Sequence, residues 1–294
     1  MFVRISSFCS PKTLLAVVFV LSLTFLAACA PVSYNRYQPA HTMGQGQFKL
    51  MASAQLGREL AMAADFDIWE QMHQRLNEWA VDHPGYGDEI AGMEAADLLA
   101  GFTFFLLGGA FGYPVPNASI IAAYGVSDNV DLEASVSTSL FFRAGTKIRL
   151  LKFGRGAFAI SPAIGYMPIN ASGSGTSGNV AFTDHYGGYV ANVEMPLLVG
   201  WEFTHVSPYF GLHASYQRLN LKYTMTITDF DPDFEATVNP VYDLWNVGLV
   251  AGVQFKWSAF VLTPELVWLY TAPGSDELWS TSFISPGLAI GAQW

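Results

Sequence analysis

The chain has 294 residues, of which 13% are charged, 51% hydrophobic and 15% aromatic; an ordinary soluble domain would carry about a quarter charged residues. Past residue 28 no uninterrupted run of twenty apolar residues occurs, which argues against a bundle of transmembrane helices. Net charge is −10 and no run of Lys or Arg appears, so nucleic acid is excluded as a partner.

At the N-terminus, Arg4 and Lys12 precede the uncharged apolar run Leu14–Leu26, which is too short to span a bilayer as a helix but has the length of a signal-peptide core. It leads into Leu26-Ala27-Ala28-Cys29, which resembles a bacterial lipobox. The resemblance implies removal of residues 1–28 as a lipoprotein signal peptide and acylation of Cys29, for instance with palmitate. The only other cysteine, Cys9, lies within the removed segment, so Cys29 has no disulfide partner within the mature chain. An ordinary secretory signal cut nearby is the alternative. Residues 29–46 are polar and rich in Pro and Gly, and are expected to form a periplasmic tether.

From residue 47 onward a period of two recurs. Residues 130–140 show it most cleanly, with Val130, Leu132, Ala134, Val136 and Leu140 on one face and Asp131, Glu133, Ser135, Ser137 and Ser139 on the other. Similar faces follow. Phe158, Ile160, Ile164 and Tyr166 oppose Ala157, Ala159, Ser161 and Ala163. Trp245, Val247, Leu249 and Trp257 oppose Asn246, Gly248, Gln254 and Lys256. Ile284, Leu288, Ile290 and Trp294 oppose Ser285, Gly287, Ala289 and Gly291. The second faces are too small and too polar to make a dry core between two sheets. They suit the inside of a narrow barrel whose bulky face meets lipid.

The punctuation predicts strands near 47–56, 116–125, 130–140, 144–152, 157–167, 189–203, 208–223, 243–257, 259–271 and 283–294. The fold class expected is therefore all-β, an antiparallel transmembrane barrel of ten strands, with eight or twelve as neighbouring even counts. Short turns at 126–129, 153–156, 205–207 and 257–259 alternate with long loops at 57–115, 168–188, 224–242 and 272–282, and a tight turn is expected at 141–143. An even strand number leaves both barrel ends in the periplasm, which would set Cys29 beside the inner leaflet.

Two stretches now support a family reading. The hairpin segment Tyr124-Gly125-Val126-Ser127-Asp128-Asn129-Val130-Asp131-Leu132 and the terminal Gly287-Leu288-Ala289-Ile290-Gly291-Ala292-Gln293-Trp294 resemble those of bacterial outer-membrane β-barrel proteins. The second resembles their C-terminal assembly signal, with Trp294 where Phe is usual. The resemblance implies a Gram-negative outer membrane, the barrel assembly machinery and membrane lipids as partners, and no particular activity.

The insertion at 57–115 reads as partly helical. Asp65 is a candidate cap for a helix bearing Phe66, Trp69, Met72, Leu76 and Trp79 at spacings of three and four. A second helical stretch, 88–100, leads into the apolar run 98–113. The insertion is either a long surface loop with two packed helices, or a lid or membrane-surface helical pair with the apolar run against lipid or the barrel mouth; a transmembrane helix at 98–113 is a third reading, opposed by four glycines and a length of about sixteen residues.

Alternation points Asp131, Glu133, Glu194, Glu202 and Glu265 into the lumen as acids, and Lys49, Lys147, Arg149 and Lys256 as bases. Glu133 is expected opposite Arg149. Such charges need partners in a narrow interior, and the expected outcome is a polar plug; a selective channel lining is the alternative. Asp184-His185 and Asp229 with Asp231, all in expected outer loops, are weak catalytic candidates, since omptin proteases are ten-stranded with acids and a His at the outer rim. His213 and Ser215 are expected to share a lumen face. Spacings typical of metal or cofactor sites are missing. Three function classes remain open: a structural or interaction barrel, a passive or gated conduit for small solutes or lipophilic ligands, and a rim hydrolase.

Overall fold

A computed structural model describes residues 31–32, 34–59, 61–83, 114–177, 180–228, 233–273 and 281–294. Fourteen strands pair antiparallel: β1 (Pro31–Val32), β2 (Phe48–Glu59), β3 (Pro114–Ser127), β4 (Val130–Ser137), β5 (Phe142–Phe153), β6 (Gly156–Ile160), β7 (Ala163–Ser177), β8 (Val180–Glu194), β9 (Leu197–Trp201), β10 (Val206–Ile227), β11 (Phe234–Val238), β12 (Val241–Trp257), β13 (Phe260–Pro273) and β14 (Thr281–Gln293). Among the described residues one helix, α1 (Ala61–Asp82), lies between β2 and β3.

The pairing closes on itself. β12, β13, β14, β2, β3, β4 and β5 follow one another around the sheet, β5 pairs with both β6 and β7, β10 pairs with both β8 and β9, and β10 returns to β12. β6 and β7 are two halves of one wall strand, as are β9 and β8, so the ring has ten members, as the sequence pattern predicts. Each interruption falls at a proline, Pro162 and Pro196, which lacks the N–H a ladder requires. Across the gap the Ser161 amide donates to the Pro196 carbonyl at 2.9 Å, so the wall stays sealed.

The ring's first and last strands make the seam. β14 pairs with β2, and Phe48 and Trp294 exchange backbone hydrogen bonds at 2.8 and 2.9 Å while their rings lie 5.1 Å apart. Trp294 thereby fixes the register at which the barrel closes.

The two faces are assigned as the alternation predicts. Leu132, Ile164, Tyr166, Trp245, Val247, Leu249, Ile284, Leu288 and Ile290 point outward and are exposed, while Asp131, Glu133, Ala159, Asn246, Ser285 and Ala289 are buried inside. A ring of large aliphatic and aromatic side chains held against water would be very unfavourable, so this band is a lipid-facing surface.

The wall is taller than the sequence suggests at its long-loop end. Residues 168–177, 180–188, 224–227 and 234–238, read as loop, continue β7, β8, β10 and β11 in register. Their Ser, Gly, Thr and Asn content carries no lipid-facing stripe, and the sequence pattern therefore fades where the strands pass beyond the apolar band. Inside this upper wall the lining changes from polar to apolar. Leu219, Leu221, Tyr223, Met225 and Ile227 of β10 belong, with Met72 and Leu76 of α1, to one buried hydrophobic cluster. Trp79 of α1 meets Phe234 of β11 edge-on at 5.9 Å. α1 thus packs at the long-loop end through Met72, Leu76 and Trp79, three of the five stripe residues read from the sequence, and we call it the lid. It starts at Ala61 and not after Asp65, because Ala61-Met62-Ala63-Ala64 is itself strongly helix-forming. The expected second helix at 88–100 and the run 98–113 fall outside the described residues.

With Leu249 on the apolar band, Leu249→Arg in lipid vesicles should cost about 2–4 kcal/mol. Glu202→Arg, at the exposed short-turn rim, should stay within about 0.5 kcal/mol. Urea unfolding of the two variants, followed by tryptophan fluorescence, checks this.

Candidate functional site

The lumen is occupied by the chain's own N-terminal segment. Residues 34–41, expected in a tether beneath the barrel, are buried within it. The correction has a simple cause: the segment is polar because its surroundings are polar, and a hydrogen-bonded lumen accepts residues that a dry core would reject. We term residues 34–43 the strap.

The strap's direction is set by contacts at both ends. Pro31 and Val32 pair with Glu59 and Arg58, at the end of β2 that leads into the lid. At the other end, the Thr42 hydroxyl donates to the Asp128 carbonyl at 2.5 Å in the β3–β4 turn, and the Gly46 amide donates to the Gly125 carbonyl at 2.8 Å. The strap therefore enters at the long-loop mouth and descends to the short-turn end before β2 turns back up. Cys29 lies outside the described residues. Its neighbours Pro31 and Val32 are at the long-loop rim, because the strap reverses the chain before the first wall strand.

Midway down, Glu265 of β13 holds the strap backbone. Its carboxylate accepts the amides of Arg36 at 2.7 Å and Tyr37 at 2.9 Å, together with the Tyr209 hydroxyl at 2.6 Å. Two successive amides converge on this one anion, and directly after them the chain turns through a left-handed Tyr37, φ 56°. Arg36 reaches the opposite wall. Its Nε donates to Glu194 at 2.9 Å, and its Nη1 donates to the carbonyl and hydroxyl of Ser161 at 2.5 and 2.7 Å. Ser161 sits at the proline break, so the interruption in the wall supplies an acceptor that a continuous ladder would have used.

Further contacts tie the strap at Asn35, whose Oδ1 accepts from Ser285 at 2.5 Å, and at His41, whose carbonyl accepts from Lys147 at 2.7 Å. Asp131 accepts the Met43 amide at 3.1 Å and pairs with Lys147 at 2.9 Å. The small inward residues now have a reason. A Cβ on Gly287 would stand 2.1 Å from the Tyr37 hydroxyl, and one on Gly125 would stand 1.9 Å from the Gly44 carbonyl oxygen.

The charge network agrees with the sequence reading in part. Asp131, Glu133, Glu194, Glu265, Lys49 and Lys147 are all buried in the lumen. Glu133, however, pairs with Arg143 at 2.9 Å and not with Arg149. The turn falls at 138–141, with Leu140 at φ 58°, so β4 and β5 pair Glu133 with Gly145 and Asp131 with Lys147. Arg143, read as part of the turn, is inside, and Arg149 is at the short-turn rim, donating to Asn129 at 2.7 Å. Glu202 is also outside the lumen, with its side chain 64% exposed at the same rim, 3.8 Å from His41. Lys256 is half-buried near the same end. Arg36, like Arg143, is a lumen base that the sequence reading missed. Its signal was the surplus of inward acids once Arg149 and Lys256 are moved to the rim.

Among the described residues the catalytic candidates do not assemble. Asp184 and His185 are consecutive residues in β8 and so point to opposite faces. Asp229 and Asp231 fall outside the described residues. His213 and Ser215 share the lumen face as expected, but Ser215 accepts from the Asn246 amide at 3.2 Å and His213 packs edge-on against Tyr34 at 6.2 Å.

No family model matches the chain, and no curated protein matches it. Among solved structures it is similar to Neisserial surface protein A, at 9% identity over 85% of this chain and 98% of that one, TM-score 0.29. It is also similar to Ail, the attachment invasion locus protein of Yersinia pestis, at 9% identity over 85% and 99%, TM-score 0.26. Outer-membrane expressed OmpT of Vibrio cholerae matches at 11% identity over 60% and 64%, TM-score 0.17. The barrel assignment rests on this chain's own strand pairing.

Removing Arg36 leaves Glu194 charged, buried and without its guanidinium. Arg36→Ala should therefore destabilise the barrel by about 3–5 kcal/mol. The double variant Arg36→Met with Glu194→Met should recover most of that loss, whereas Arg149→Ala at the rim should cost under about 1 kcal/mol. Urea unfolding of these variants, compared as a double-mutant cycle, checks it.

Proposed function

We propose that this chain is a lipid-anchored barrel of a Gram-negative outer membrane, closed at rest by its own N-terminal strap, with a structural or interaction role. The observation that carries the reading is the strap itself. It crosses the whole lumen, hydrogen-bonds to opposite walls, and is surrounded by residues too small to be explained otherwise. A barrel of ten strands is only a little wider than one that side chains alone can fill, and a through-running peptide removes the remaining path. The lid and the long-loop rim are then the surfaces offered to partners. In this reading Cys29 carries the acyl anchor and Trp294 presents the assembly signal.

A gated conduit is the second reading, and the nature of the hold favours keeping it. The strap is fixed by hydrogen bonds and ion pairs and not by a continuous sheet, so a ligand able to compete for Glu265 or Glu194 could loosen it.

Wild-type protein in planar bilayers should show almost no steady current, whereas a variant lacking residues 34–43 should conduct measurably. Large, steady single channels from the unmodified protein would overturn the closed-barrel reading. For the anchor, Cys29→Ser should abolish labelling by a palmitate analogue and leave uncleaved precursor. Undiminished labelling would remove the lipoprotein reading.

A further inference from the structure

Two facts about the strap lead to a statement about sidedness. β1 pairs antiparallel with the far end of β2, Pro31 with Glu59 and Val32 with Arg58. The chain then reaches the short-turn end at Gly44–Gly46, beside Gly125 and next to the seam where Phe48 meets Trp294. The two ends of the strap are thus separated by the length of β2, twelve residues of extended chain, or roughly 40 Å at about 3.3 Å per residue. In bacterial outer-membrane barrels the short turns face the periplasm and the long loops face outward.

We propose that the residues preceding Pro31 leave the barrel through the long-loop mouth, so that this protein displays its N-terminal end, and any acyl group on Cys29, at the outer surface of the membrane. The inference rests on the outer-membrane reading above. Covalent geometry leaves little freedom: two residues reach at most about 7 Å, so position 29 stays within that distance of Pro31 at the rim. The return route is closed. The lumen is filled by the strap itself, with Tyr37 over Gly287, Ala40 against Gly200 and Gly44 over Gly125, and a second passage of chain down the same lumen has no room. An acyl group there sits beside the outer end of the apolar band. The protein would then be held by lipid on one side of the membrane while its C-terminal Trp294 is on the other.

The test is an epitope inserted between Ala30 and Pro31 in the full chain, read by antibody on intact and on permeabilised cells. A control epitope is placed in the Ser127–Val130 turn. The expected result is binding to the first epitope on intact cells and to the second only after permeabilisation. Binding to the first epitope only after permeabilisation would overturn the proposal while leaving the closed barrel standing. Binding to both on intact cells would overturn the membrane orientation on which the proposal depends. Should the insertion prevent folding, the pair Val32→Cys and Arg58→Cys replaces it. These positions are sheet partners, close enough for a disulfide. Oxidation should give a cross-linked band in more than about half of the folded protein, and folded protein that does not cross-link would overturn the proposal.

Discussion

Much of this barrel's interior depends on one requirement, that charge buried in a narrow lumen be compensated by an opposite charge or by converging hydrogen bonds: Arg36 pairs with Glu194, Arg143 with Glu133 and Lys147 with Asp131, while two amides and a hydroxyl converge on Glu265. Among the described residues the buried acids are Asp131, Glu133, Glu194 and Glu265, and the buried strong bases are Arg36, Lys49, Arg143 and Lys147. The two sets balance only because the strap contributes Arg36. Without the strap Glu194 loses its guanidinium, and Glu265 loses two amides and keeps only Tyr209. The wall is therefore incomplete as an electrostatic object until the strap is seated. Such an arrangement costs more in desolvation than an apolar plug would, but it fixes one alignment of strap against wall. A one-residue slip would move Arg36 off Glu194 and the paired amides off Glu265.

The same requirement explains the distribution of small residues. Gly125, Gly200 and Gly287 lie where the strap passes, and Phe141 and Tyr209 fill the lumen beside Gly165 and Gly252. Higher up, where β10 presents Leu219 to Ile227 inward, polar satisfaction is no longer at issue and apolar side chains of the lid take over. The interior thus has two regimes, a polar one occupied by a peptide and an apolar one covered by a helix. Both are contributed by segments flanking β2.

Much of this was legible in the sequence. The strand number and the two faces follow from periodicity, because a lipid-facing band imposes a bulky residue at every second position, and the helix of the insertion follows from its spacings of three and four. What periodicity could not give was pairing offset and strap. The offset between β4 and β5 depends on whether Leu140 takes a left-handed conformation, and a non-glycine residue gives no warning of that. Arg143 was hidden for this reason, and Glu133 was assigned the wrong partner. The strap was hidden because Asn35, Arg36, Gln38 and His41 have the composition of a solvated linker, and a polar lumen and water select for the same residues. The wall above the apolar band was missed for a related reason, since strands that project beyond lipid lose the alternation that reveals them.

A segment that fills a closed ring can be placed there in only two ways, by threading an end through the ring or by closing the ring around it. The packing around the strap decides between them. With Tyr37 over Gly287 and Gly44 over Gly125, the lumen has no clearance for a chain end carrying anything bulkier than the strap itself. Closing around the strap is also the order that connectivity favours. The strap runs directly into β2, and β14, which completes the ring against β2, is the last strand of the chain. Several of the strap's strongest partners lie on these late strands, Glu265 on β13 and Ser285 and Gly287 on β14. They can meet Arg36, Asn35 and Tyr37 only as the C-terminal strands arrive. The strap is thus more than an obstruction added to a finished barrel. Its contacts with Glu265, Ser285 and Gly287 lie on the strands that close the ring, so its seat is complete only in the closed barrel.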